Sequence, residues 1–159
     1  MIQRIQSLFL LAAGACSIFL IFYPISRMVF GDDIFANFFS YGFKNASWPY
    51  EKFMSTYPVL IITSVSGLLS LITIFLYRNR ILQMRLCVYN ILITLGLIII
   101  IFYYYFAVKR GALGKELALE RHHFSFAVML PFVNVILLFQ AFRAIRRDDL
   151  MVKSYDRLR

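Results

Sequence analysis

Four apolar runs, at about residues 5–23, 57–77, 86–107 and 124–142, restrict this chain more than any other feature. Each is long enough, at about 1.5 Å per residue, to cross the roughly 30 Å hydrocarbon layer of a bilayer as a helix. No water is available there, so every backbone N–H and C=O must be paired within the segment, which a helix does and an irregular chain does not. The expectation is an all-α integral membrane four-helix bundle, a single domain over residues 1–159 with a tail at 143–159. A hydrophobic fraction of 61 % exceeds what a soluble core needs and agrees with that expectation.

Orientation follows from the stretch that joins the second and third runs. Arg78, Arg80 and Arg85 lie in a connection too short to be a domain, where an excess of Lys and Arg selects the cytoplasmic side. With this hairpin inside, ten of the 17 Lys and Arg residues fall on the cytoplasmic face, and both the N-terminus and the C-terminus are expected there. The net charge of +9 is carried beside apolar runs and forms no continuous basic face, so membrane orientation explains it better than nucleic acid. The two cysteines, Cys16 and Cys87, sit inside or at the edge of apolar runs, which fits small buried hydrophobes rather than a disulfide framework. Leu-Ala-Ala-Gly-Ala-Cys at 11–16 also reads as a lipidation site. The run continues through Tyr23, however, and favours a retained signal anchor.

The polar marks within the runs suggest how the helices pack. In the second run, Thr56 is a candidate N-cap, Pro58 suits the first turn, and Ser66, Gly67 and Ser70 supply small positions where another helix can approach closely. Asn90 and Thr94 share a stripe of the third run with Cys87, and Asn134 follows Pro131 in the fourth, a pairing suited to a kink. An amide facing lipid would leave polar groups unpaired, so Asn90 and Asn134 are expected to face protein. Helix packing is the favoured role; handling of an ion or solute is the alternative.

The two outer loops carry other readings. Ile34, Phe35, Phe38 and Phe39 recur at helical spacing behind Asp32 and Asp33, which suggests a short interfacial helix in an aromatic segment. Glu116, Glu120 and His123 would share a helical face and form the best metal-ligand triplet. A single copy with no carboxylate inside any run does not make a di-metal bundle, so no metal and no cofactor is expected. With no nucleophile–base pair or paired buried carboxylates, the chain is not expected to be an enzyme.

Three segments, Met-Ile-Gln-Arg-Ile-Gln-Ser at 1–7, Phe-Leu-Tyr-Arg-Asn-Arg-Ile-Leu-Gln-Met-Arg-Leu-Cys at 75–87 and Ser-Tyr-Asp-Arg-Leu-Arg at the C-terminus, resemble an uncharacterised family of four-span inner-membrane proteins from one phylum of gram-negative bacteria. The resemblance implies a multi-pass bacterial inner-membrane location and no catalytic residues. All three segments fall on the expected cytoplasmic face. Arg146, Arg147, Asp148, Asp149, Asp156, Arg157 and Arg159, together with the hairpin arginines, are therefore candidates for topology or partner contact. The functional expectation is a non-catalytic accessory or scaffolding subunit of a larger inner-membrane complex, with protein export or insertion as its candidate task. Partners would be the lipid bilayer and other membrane subunits. A small channel or transporter, or a lipid-binding membrane protein, is the alternative.

Overall fold

A computed structural model describes residues 3–30, 34–44, 56–76, 79–109 and 119–156. Its frame is four helices: α1 Gln3–Phe22, α2 Tyr57–Phe75, α3 Arg80–Lys109 and α4 Leu130–Asp156. All four are long and apolar enough to cross a membrane. Each helix packs on its neighbours in sequence, and α1 closes the ring against α4. Outward positions such as Leu8, Ile61, Ile99 and Ile136 are exposed, as expected where lipid replaces water as the solvent.

The helix limits differ from the apolar runs at two places. α3 begins at Arg80, so Arg80 and Arg85 are helical and only a tight turn separates α2 from α3. In that turn the Asn79 N–H donates to the Leu76 carbonyl at 3.0 Å. Arginine is a good helix former whose long stem lets the charge reach the membrane rim without breaking the helix, so the end of an apolar run is not the end of its helix. α4 starts at Leu130, after a 3-10 turn at Phe126–Met129, and runs unbroken to Asp156. The expected tail, as far as Asp156, is thus the second half of α4. Pro131 lies in the first turn of that helix, where its missing N–H breaks no helical bond, and it produces no mid-helix kink.

The two longer connections add a small sheet to this predominantly helical frame. β1 Ser26–Phe30, β2 Ile34–Phe39, β3 Gly42–Lys44 and β4 Leu119–Phe124 form an antiparallel sheet of order β3-β2-β1-β4. The short helix expected behind Asp32 and Asp33 is instead strand β2. The segment that would have aligned Glu120 with His123 on a helix is strand β4, and Glu116 lies outside the described residues. A short apolar run fits either period, and here the choice comes from pairing: β1 lies between β2 and a strand some ninety positions later. The sheet is tied to the bundle through its backbone. Ile25 N–H donates to the Phe38 carbonyl at 2.7 Å, Ser125 N–H donates to the Ile25 carbonyl at 3.2 Å, and Ser40 Oγ donates to the Ile21 carbonyl at 3.3 Å. That last bond satisfies one of the carbonyls that α1 leaves open at its C-terminus.

The core is layered along the bundle axis. At the sheet end, Leu20, Ile25, Phe38, Val59, Leu97, Ile101, Tyr104 and Ala127 form one apolar cluster, with the Phe38 ring tilted against Tyr104 at 6.1 Å. At the turn end, Leu10, Ala13, Cys87, Leu138, Ala141 and Ile145 form a second. Between them on every helix lies a layer of hydroxyl and amide side chains.

Candidate functional site

The middle layer is built around Asn90. Its Nδ2 donates to the Ser66 carbonyl at 3.1 Å and to Ser70 Oγ at 2.8 Å, while Ser66 Oγ donates to Asn90 Oδ1 at 2.7 Å. Ser70 Oγ donates to the Ser66 carbonyl at 3.0 Å and Thr94 Oγ1 to the Asn90 carbonyl at 2.8 Å. Both hydroxyl protons of Ser66 and Thr94 are thereby used, which leaves their mutual 3.3 Å contact secondary. All of these side chains are buried. The i, i+4 spacing of Ser66 and Ser70 makes the arrangement possible by placing two small hydroxyls on one face of α2, one turn apart, opposite one amide of α3.

Gly67 belongs to a different face. A Cβ there would sit 3.3 Å from Ser17 Cβ, so Gly67 lets α1 and α2 approach closely, and Gly14 of α1 approaches Ser70 and Leu71 in turn. Ser17 Oγ donates to the Ala13 carbonyl at 3.2 Å and accepts from Asn134 Nδ2 of α4 at 3.3 Å. Asn134 Oδ1 is buried with no hydrogen-bond partner, and turning the amide over would only transfer the deficit to its nitrogen. Thr56 stands at the start of α2, but its side chain makes no capping bond. Its carbonyl instead accepts the Val59 N–H at 2.9 Å.

The second polar region is the turn end. Gln6 Nε2 donates to the Ala144 carbonyl at 3.3 Å, joining α1 to α4, and Gln83 Nε2 donates to the Thr73 carbonyl at 3.2 Å, joining α3 to α2. Both glutamines are buried. Beyond these braces Arg80 Nε meets Asp148 Oδ2 at 3.5 Å, linking the start of α3 to the last third of α4. Asn79, Arg80, Ile81, Leu82, Arg85 and Asp149 line an open pocket of about 540 Å³. Arg146 and Arg147 are exposed on α4, followed by the exposed Leu150, Met151 and Val152. Asp156 ends α4, whereas Arg78, Arg157 and Arg159 lie outside the described residues.

Sequence reasoning missed Gly14, Ser17, Gln6 and Gln83. The small residues around Gly14 were legible only as a lipidation motif. The two glutamines were in view inside the first two segments that carry the family resemblance, but nothing in their spacing marked them as buried braces. No group of three or more His, Cys, Asp or Glu suited to a metal is present among the described residues. Chemically, the middle layer offers neutral hydroxyls and amides, and the turn end offers guanidinium and carboxylate groups.

Four membrane-length helices around a hydroxyl-and-amide layer, capped by a small sheet, define a helical-bundle protein of the multi-pass membrane type. Comparison with protein families places it further: the chain belongs to the family described as Domain of unknown function (DUF4293), whose model matches residues 2–158. No curated protein and no solved structure shows a significant match to the chain.

Proposed function

We propose that the protein is a non-catalytic docking subunit of a larger bacterial inner-membrane complex, with both termini and the α2–α3 turn in the cytoplasm. The observation that carries this reading is the last third of α4, which continues the span as one helix and exposes Leu150, 58 % accessible, beside Met151, Val152, Arg146 and Arg147. Apolar side chains interleaved with charge on a rigid helix suit a protein partner, because the apolar positions give affinity and the charges select register. The interior supports a structural role over conduction. Its amide and hydroxyl groups are engaged with each other and with helix carbonyls, and no charged side chain lies among the described residues of the middle layer. Protein export or insertion is the kind of assembly proposed.

Mild detergent extraction from native membranes, followed by mass spectrometry of co-purifying chains, tests the proposal. Full-length protein is expected to bring a defined set of membrane proteins, and a chain truncated after Arg147 is expected to lose them. Recovery of the full-length protein alone would overturn the docking role. Reporter fusions at the two termini test the orientation separately, and an extracytoplasmic signal at either would remove the proposed surface from the cytoplasm.

A further inference from the structure

We propose that the pocket between the start of α3 and the last third of α4 binds a phospholipid headgroup that carries both a phosphate and an ammonium, as ethanolamine phospholipids do. Its walls have the required parts. Arg80 and Arg85 supply guanidinium donors, Asp149 supplies a carboxylate, and Ile81 and Leu82, 56 % and 45 % exposed, continue the apolar surface of α3 beside them. The volume of about 540 Å³ accommodates a headgroup. Because Arg80 lies at the end of the candidate span Arg80–Ala107, the pocket sits at the membrane rim, where phosphates are found.

Charge decides the class of headgroup. Asp148 answers Arg80 through Nε, at 3.5 Å, and uses one of the five N–H donors of that guanidinium. Arg85 and Asp149 then present one positive and one negative group to the same pocket. A purely anionic headgroup would satisfy the arginines but confront Asp149, whereas a zwitterion places its phosphate on the guanidinium groups and its ammonium on the carboxylate. A carboxylate accepts about four hydrogen bonds, so Asp149 can receive the ammonium while keeping contacts within the chain. A trimethylated amine has no N–H to donate, and a choline headgroup should therefore bind less well.

The test is native mass spectrometry of the purified full-length protein titrated with ethanolamine, glycerol and choline phospholipids of matched acyl chains. The ethanolamine lipid is expected to bind about tenfold tighter than the other two, the difference that one charge-assisted hydrogen bond supplies. Asp149→Asn should remove that preference without weakening the glycerol lipid. Arg85→Gln should weaken both, and Arg143→Gln, on α4 but outside the pocket, should change neither. Unaltered thermal unfolding of each variant confirms that folding is not the cause. Equal or tighter binding of the glycerol lipid to the unsubstituted protein, an Asp149→Asn variant that keeps the ethanolamine preference, or an equal loss in Arg143→Gln would overturn the proposal. Soluble phosphoethanolamine separates the two sources of this chemistry. Competition with the intact lipid supports a headgroup site, whereas binding of the soluble compound with no retention of lipid assigns the pocket to a free phosphate ester and removes the lipid.

Discussion

The middle layer and the turn end are the two polar regions of this bundle, and they treat polarity in opposite ways. In the middle, neutral groups are buried and answered within the bundle, by one another and by backbone carbonyls: Asn90 alone engages Ser66 and Ser70 through three hydrogen bonds. At the turn end, beyond the buried braces of Gln6 and Gln83, the groups are charged and partly exposed, with a 3.5 Å ion pair beside an open pocket. Within hydrocarbon an unanswered polar group has no water to turn to, so the middle layer has to close on itself and thereby sets the register of the helices. At the rim, water and headgroups satisfy whatever the chain does not, and charges there remain available for outside partners.

The sharpest way to break this comparison is Gly67→Leu. The leucine Cβ would begin 3.3 Å from Ser17 Cβ, with the rest of the side chain driven between α1 and α2, and a loss of about 3 kcal/mol is expected from overpacking. Unfolding titrations in mixed detergent measure it. A neutral result would mean that α1 and α2 are not in close contact at this depth. Next comes Asn90→Leu, which removes three cross-helix bonds and leaves Ser66 Oγ only its 3.3 Å contact with Thr94 Oγ1. About 1–2 kcal/mol is expected in the same titration, at the upper end of what interhelical hydrogen bonds contribute in membranes.

Asn134→Leu should cost less than Asn90→Leu, about 0.5 kcal/mol, because it forfeits one 3.3 Å bond and also removes a buried oxygen that has no partner. An effect as large as that of Asn90 would show that Asn134 Oδ1 is satisfied by a group outside the chain, such as a buried water. The smallest change in stability is expected for Asp148→Asn, below about 1 kcal/mol, since a partly exposed ion pair at the rim contributes little. Its consequence should fall on co-purification of partner chains instead. If Asp148→Asn destabilised the bundle as much as Asn90→Leu, the distinction between an inward-facing and an outward-facing polar region would fail.

Much of the frame was determined by the sequence alone, because hydrocarbon admits few solutions. Four apolar runs of membrane length call for four helices, and Ser66, Ser70, Asn90, Thr94 and Asn134 stand out as polar residues inside them. What neither spacing nor composition could supply was the pairing across elements. Ser66 and Ser70 turn to α3 while the adjacent Gly67 turns to α1, a division that depends on how four helices are arranged around one axis. Gln6 and Gln83 did not stand out in the sequence because each accepting carbonyl, on Ala144 and Thr73, belongs to another helix. The sheet was the least legible part. Ile34–Phe39 carries an apolar pattern compatible with a helix, and only its antiparallel pairing with β1, itself paired to the distant β4, makes it a strand. Membrane partition acts on each segment separately and can be read along the chain, whereas strand pairing and side-chain hydrogen bonding act between segments and exist only once the tertiary structure has brought them together.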